Sequence, residues 1–533
     1  MTVVRYPIKE IEKEFKVNQD LLDKMSMFGT TAEIAGDELE IEINPNRPDL
    51  IPMQGFLRSF KAFTGKNAGL KTYKLKEPEK SFIVKVTQNV KEVRPYTVCA
   101  IVKNLKLDDE KIKELIYTQE KLHTTIGRKR KKVAIGIYPL DKIKFPIKYD
   151  ALKPGNIKFQ PLGSKKELSA NQILKKHPAG KEYANLLKGF SKYPVFIDSN
   201  KKILSMPPII NSHEIGKIDE STKNVFIECS GSHLPTLDKT LNIIVTAMAD
   251  MGGDIYKVKI DDKPRLTTPD LTPQKTKLNI DKANNILGLN LNKKEITNLL
   301  AKMGHDYKNE VISPAWRTDI LHEIDIIEDI AIAYGYENFT PEIPKVATIG
   351  KETKRSKINR KISEILIGKE MLEISSYHMI KESDAKKMRL KSVISLEDSK
   401  TEYRILRPNL LIPLLRTLSE NVDAEYPQKV FEIGRVFKPE LKEQNSLIIG
   451  LTPGNFTDIK QILNYLFEMI DLEYEIEESK EDSLIEGRTG KIIVNKKEIG
   501  YLGEVHPKTL NTWGLKMPLS IAEINLEEIY LLC

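Results

Sequence analysis

Cysteine is scarce in this chain: three residues, at positions 99, 229 and 533, lie far apart and never form a CxxC pair. An odd, dispersed set supports neither a disulfide framework nor a zinc ribbon, and it fits a reducing compartment. The eight histidines never recur at i, i+3 or i, i+4, and no GxSxG occurs, so zinc-hydrolase and serine-triad chemistry have no support. Every Gly-Lys pair is followed by Asn, Glu or Ile rather than Ser or Thr, which removes the P-loop. No apolar run reaches the roughly 18 residues of a membrane span. The opening MTVVRYPIKEIEKEF meets charges before a signal-peptide core can form. A cytoplasmic protein is expected.

What is present is length and charge. At 533 residues the chain is too long for one core, and roughly three to four domains are expected. The net charge of +9 is compatible with a polyanionic partner but too small to identify one.

The most informative stretch is PAWRTDILHEIDIIEDIAIAYGYENF, from Pro314 to Phe339. Ile320, Ile324, Ile327, Ala331 and Tyr334 recur at helical spacing and predict an apolar stripe on a helix starting near Asp319. Asp325, Glu328 and Asp329 fall on the opposite side, within a turn of one another, with Asp319 at the entry as a cap. Gly335 closes the helix. Two readings stand: a solvated acidic face, or a hard-cation site, for which carboxylates without His or Cys are the ligand type magnesium takes.

Along the chain, residues 1–84 carry a helix at Ile8–Phe15, a strand at Leu39–Ile43, the turn-rich NPNRPDL and a helix at Met53–Phe63. Residues 85–266 read as a mixed α/β domain, with strands at Phe82–Val86, Tyr96–Val102, Val133–Ile137 and Val225–Cys229 and helices at Asp109–His123 and Leu241–Met251. Its basic run, containing Arg128, Lys129 and Arg130, is either a solvated turn or a phosphate-binding edge. TTPDLTPQKT, residues 267–276, reads as a linker. A small helical module with the acidic stretch follows at 277–345, with helices at Asp281–Leu287 and Lys293–Met303. A last domain spans 348–533, with a helix at Ser356–Leu366, strands in KVFEIGRVF and IIVNKKEIGYLGEV, and a final strand near Ser520–Ile524. The fold class is α+β, multidomain.

Several motifs together resemble the β subunit of phenylalanyl-tRNA synthetases of the archaeal and eukaryotic type. Arg317, Asp319, Ile320, Asp325, Glu328 and Gly335-Tyr336 are similar to its small acidic-helix domain, and INPNRPDL with Gly55 and Arg58 to its N-terminal module. KLHTTIGRKRKKVAIGIY, YPVFIDSNKKILSMPPIINS and NVFIECSGS are similar to its central domain; FEIGRVF and GEVHP resemble its C-terminal domain. The resemblance implies magnesium held by Asp319, Asp325, Glu328 and Asp329. It implies a partner α subunit carrying ATP, phenylalanine and the adenylation chemistry in an α2β2 assembly that charges tRNA. It also implies a central domain that hydrolyses tyrosyl-tRNA made in error, and a C-terminal domain built on the antiparallel sheet of class II synthetases. The Gly-rich strand leading to an ATP-contacting Arg is missing, since GRTGKI and WGLKMP both fail to provide it, so that domain is expected not to activate an amino acid. A non-catalytic RNA-binding scaffold with a decayed editing site is the alternative, and a metal-dependent nuclease a remote third.

Editing is the most demanding chemistry here. Tyrosine is phenylalanine plus one hydroxyl, which an apolar pocket rejects by only about 10²-fold. A second sieve must hydrogen-bond that hydroxyl, because a buried polar group left unpaired by phenylalanine costs about 1–3 kcal/mol. Glu228, in the alternating NVFIECS, is the candidate acceptor; the rival reading is a strand-end carboxylate paired with a lysine. Asn211, Thr222 and His123, with Arg128, are candidates for holding the ester and the tRNA 3′ end. No nucleophile motif is found, so water is expected to attack the ester directly.

Overall fold

Strand Val225–Gly231 is buried at every position, which only a strand covered on both faces can be. Its odd residues, Val225, Ile227 and Cys229, join a core with Leu237, Leu241 and Val245 of helix Leu234–Asp250. Phe226 packs on the other side with Cys99, Ile101 and Tyr138. Because strand side chains alternate, Glu228 and Ser230 share the face of Phe226.

The structure is a computed structural model describing residues 2–532. It divides into two units, 1–342 and 343–533. In the first, a predominantly antiparallel sheet carries neighbouring strands Asp254–Asp261, Tyr96–Lys103, Val225–Gly231 and Val133–Pro139, in that order. Glu228 lies opposite Cys99 on one side and Gly136 on the other.

The expected elements recur with three corrections in this unit outside the acidic helix. The first helix is one turn only, Ile8–Ile11. The helix expected from Leu241 begins at Leu234, with Pro235 in its first turn, where a missing N–H costs nothing. The expected linker is pinned at both ends. Leu266–Thr268 pairs with Asp254–Asp261, and Gln274–Thr276 pairs with Val311–Ser313. The buried Thr268 hydroxyl both accepts from the Cys99 N–H and donates to its carbonyl.

The N-terminal module, the central sheet and the acidic-helix module share one core. Phe56 and Phe60 of helix Met53–Phe63 belong to the same apolar cluster as Leu241, Met303 and Trp316. Arg58 lies over the Trp316 ring at 4.2 Å and donates to Asp250 at 2.6 Å, beside a cavity of about 480 Å³.

In the second unit a seven-stranded sheet runs Leu372–Glu373, Gln428–Lys438, Lys442–Thr452, Ser520–Asn525, Lys497–Val505, Leu484–Val494, Glu475–Glu478. All its pairings are antiparallel except the one made by Leu372–Glu373. IIVNKKEIGYLGEV is a hairpin rather than a single strand, turning at Asn495 and Lys496, both with positive φ. Such a turn matches the strand twist. Arg407 and Glu432 form a buried ion pair at 2.7 Å in this unit.

Candidate functional site

The acidic helix spans Glu323–Tyr334, four residues later than expected, and its cap is His322 rather than Asp319. Asp325 explains the start: its Oδ2 accepts from the Leu321 and His322 N–H groups at 2.8 and 2.7 Å. Asp319 is engaged elsewhere, its carboxylate taking two parallel bonds from Arg317 at 2.8 and 2.6 Å. The buried stripe runs through Ile326, Ile327, Ile330 and Ala333, and Asp329 lies inside it. Ile324, expected in the stripe, is 45% exposed.

Asp329 therefore does not sit on a solvated patch with Asp325 and Glu328. Its Oδ2 takes Arg317 Nη2 at 2.8 Å and the buried His305 Nε2 at 2.7 Å. Burial pushes its carboxyl up, but Arg317 and the His305 hydrogen bond outweigh that and hold it well below the usual carboxylate range. Burial also lowers the His305 pKa, and because Nε2 faces the acceptor-only Asp329 carboxylate it is the donor of that bond. Glu328 stands outside this network. Partial burial and then its neighbours Asp329, Asp319 and Asp325 raise its pKa, so the four acids do sense one another. Among the described residues, no three His, Cys, Asp or Glu side chains are arranged to hold a metal ion.

A second Arg-x-Asp pair meets the first. Arg47 donates to the fully buried Asp49 through two parallel bonds at 2.9 and 2.8 Å. The Thr318 hydroxyl bonds the Asn46 carbonyl at 2.8 Å, and Lys239 of the central domain reaches the Arg317 carbonyl at 2.8 Å. The turn-rich NPNRPDL is thus one half of an ionic junction, which sequence spacing alone could not reveal.

The central domain holds the other candidate site, a cavity of about 510 Å³ lined by Glu228, Asn211, His123 and Arg130 together with His213 and Gln119. Thr222 is not among its lining residues. Its hydroxyl closes a local turn, accepting from the Asp219 N–H at 3.2 Å. His123 is a wall element rather than a free base. Its Nε2 accepts from the Ile135 N–H at 2.8 Å, which leaves Nδ1 to donate to Glu120 at 3.2 Å. Glu228 is mid-strand, not at a strand end, and has no lysine partner. Burial pushes its carboxyl up to about 8, against the downward pull of a Tyr138 hydrogen bond, Arg94 and Ser230.

The basic run splits by role. Arg128, Lys129 and Arg130 take left-handed φ of 47°, 52° and 64° in succession, a conformation costing non-glycine residues roughly 1–2 kcal/mol each. Buried Arg94 braces the turn from beneath, donating to the Arg130 carbonyl at 3.3 Å and to the Ser230 carbonyl at 2.5 Å. Gly127 allows the close approach, since a Cβ there would stand 2.6 Å from the His123 carbonyl oxygen. Arg130 folds inward. It donates to the Ile209 carbonyl and to Glu120 at 2.8 and 2.9 Å, and lies over the Tyr183 ring. Arg128 and Lys129 remain exposed. Tyr138, Arg94 and Gly136 were not singled out from sequence; the strand register identifies Tyr138 and Gly136, and the bonds to the Ser230 and Arg130 carbonyls identify Arg94.

Comparison with known proteins accounts for both halves of the chain. Residues 340–526 match the family model described as phenylalanyl tRNA synthetase beta chain CLM domain, and residues 276–336 match the tRNA synthetase B5 domain. The chain is 39% identical over 503 residues to the phenylalanine–tRNA ligase beta subunit of Pyrococcus horikoshii, covering 91% of this chain and 90% of that one. It is 37% identical over 556 residues to the subunit of Methanococcus aeolicus, covering 98% and 99%. A crystal structure of an N-terminal fragment of the Pyrococcus horikoshii β subunit aligns at a TM-score of 0.59 and 38% identity, covering 63% of this chain and all of the fragment. The chain belongs to the phenylalanine–tRNA ligase beta subunit family.

Proposed function

We infer that this chain, as the β subunit of a phenylalanine–tRNA ligase, edits tyrosyl-tRNA in the cavity around Glu228, within an α2β2 assembly whose α subunit binds ATP and phenylalanine. The carrying observation is a fully buried carboxyl at the wall of a largely apolar cavity, with Oε2 meeting no partner at full hydrogen-bonding geometry although the Ser230 hydroxyl on the same face favours its charged form. A group so placed is costly to keep unless a bound hydroxyl completes it. Phenylalanine cannot do so. Asn211 lines the same wall and could orient the ester; the exposed Arg128 and Lys129 are suited to backbone phosphates of the acceptor end.

Magnesium fits the acidic helix only in part. Asp325 and Glu328 are hard oxygen donors outside the Arg317 network, whereas Asp319 and Asp329 are already neutralised by Arg317. A magnesium ion keeping several waters needs only one or two carboxylates. When bound, it would offset the repulsion from Asp329, Asp319 and Asp325 that adds to burial in raising Glu328. In the C-terminal unit, the antiparallel sheet with helices packed on it supports a class II-like domain.

The test is hydrolysis of tyrosyl-tRNA and phenylalanyl-tRNA by the full chain, alone and with the α subunit. Preferential clearance of the tyrosyl ester is expected; equal persistence of both esters makes the domain an RNA-binding scaffold. Co-purification of a second synthetase-like polypeptide checks the assembly.

A further inference from the structure

We propose that Tyr138 is a positioning residue for hydroxyl discrimination: its phenol holds Glu228 Oε1, is itself anchored by Asn211, and so leaves Oε2 as the acceptor for a substrate phenol. The proposal rests on the editing reading of this cavity.

The geometry is a three-membered chain. The Tyr138 hydroxyl lies 3.2 Å from Glu228 Oε1 and 3.3 Å from the Asn211 side-chain oxygen. A hydroxyl has one proton to donate and lone pairs to accept. With Glu228 ionised, as it must be to accept a substrate phenol at Oε2, the Tyr138 hydroxyl cannot serve two acceptors, so the Asn211 amide is assigned with its NH₂ toward the phenol, an orientation that the hydrogen-bond network decides. Asn211 then donates to Tyr138, and Tyr138 donates to Oε1. Tyr138 is fully buried and stacked against Phe226 with ring centroids 6.1 Å apart, so its hydroxyl is fixed by packing and not by a flexible stem.

Gly136 makes the contact possible. It is the cross-strand partner of Glu228, and a Cβ there would stand 2.2 Å from the Tyr138 hydroxyl and 2.6 Å from Glu228 Oε1. Any side chain at 136 would occupy the space in which the two groups meet. A glycine mid-strand otherwise weakens a sheet, and here its missing side chain has a specific use.

Charged and titratable groups on the Glu228 face of the sheet are Arg94, Tyr149 and Cys99 on the adjoining strand, besides Tyr138; Cys229 of its own strand points to the opposite face but lies within electrostatic reach. Tyr138 is the one among them that joins the carboxyl to the cavity rim through Asn211, which is half-buried.

The experiment compares kcat/KM for tyrosyl-tRNA and phenylalanyl-tRNA hydrolysis by the full chain, across pH, in Tyr138→Phe, Asn211→Ala and Glu228→Gln. In Tyr138→Phe the tyrosyl-to-phenylalanyl ratio should fall at least about 10-fold. The pH profile for the tyrosyl ester should move to higher pH, because a donor to the charged carboxylate has been removed. A merely structural role would lower hydrolysis of both esters by a common factor at every pH. Asn211→Ala, at the half-buried end of the chain, should shift the ratio the same way, and it decides the matter if Tyr138→Phe does not fold. An unchanged ratio and profile in Tyr138→Phe and Asn211→Ala, with the ratio lost in Glu228→Gln, overturns the role of Tyr138 and leaves the editing reading standing. A ratio retained in Glu228→Gln overturns both.

Discussion

The Thr318 hydroxyl donates to the Asn46 carbonyl at 2.8 Å across 272 positions of sequence. Around this bond two Arg-x-Asp turns stand together, Arg47 with Asp49 and Arg317 with Asp319, and the second extends through Asp329 to His305. Coulombic influence runs between them: Arg47 feels Arg317 and Asp319, and Arg317 feels Asp49. The N-terminal module, the central domain through Lys239, and the acidic helix are thereby joined by charge as well as by a common apolar core.

The first prediction follows from that burial. Arg317→Met leaves Asp319 and Asp329 without their counter-charge, and removing one partner of a buried pair costs about 3–5 kcal/mol. Chemical denaturation of the full chain should show a loss of that order in the first unit's transition. The pH sign is fixed by Asp329 and Asp319, whose pKa values lie below their ordinary 3.8. Their stabilisation is present above pH 3.8 and is lost as pH falls through the lowered values. Arg317→Met should flatten that acid-side loss.

The magnesium reading predicts a division among the four acids. Asp325→Asn with Glu328→Gln should abolish any magnesium-dependent rise in melting temperature, since a ligand stabilises by binding the native state alone. Asp329→Asn should instead lower the melting temperature with or without magnesium. If the Asp325 and Glu328 variant keeps its full magnesium response, those two are not the ligands.

Much of this was legible beforehand, and the exceptions have physical causes. Strands 96–103 and 225–231 and helix 109–124 stood out because their patterns were bounded by capping and turn residues. The acidic helix was harder. With Ile324, Ile326, Ile327, Ile330, Ala331, Ile332 and Ala333 it is apolar almost all round, so periodicity could not fix which side is buried. A buried aspartate then passed as an exposed one. Asp329 is recognisable only once Arg317 and His305, distant in sequence, are seen around it. The Arg47–Asp49 pair looked like an ordinary stiff turn for the same reason. Glu228 was identifiable as a lone acid in an apolar strand, but Tyr138 and Gly136 needed the register.

The basic turn yields a third prediction. Arg128→Ala and Lys129→Ala should weaken tRNA binding, each reducing the salt-dependence slope by up to about one unit, with no change in thermal stability. Arg130→Ala should behave differently, because its guanidinium is spent on Ile209, Glu120 and Tyr183. Its loss should lower stability by roughly 1–3 kcal/mol through the carbonyl and carboxylate left unpaired. Equal salt slopes for the parent and the Arg128 and Lys129 variants would make the exposed run a solvated turn.

The last prediction turns the buried carboxyl of Glu228 into a stability measurement. Its pKa in the folded chain is raised from 4.5 to about 8, chiefly by burial. The native state therefore binds this proton more tightly than the unfolded state. Stability from the protonated form is complete below about pH 4.5 and is lost progressively as pH rises through about 8. The full effect is of the order of a few kcal/mol. Glu228→Gln keeps the shape and cannot ionise, so its stability relative to the parent should improve steadily from pH 5 to pH 9, as read by urea midpoints with m unchanged. Tyrosyl ester selectivity should be lost over the same range. A parent-minus-variant difference that does not change with pH would mean that Glu228 is ionised throughout, and the cavity would then hold a permanent charge beside Arg94.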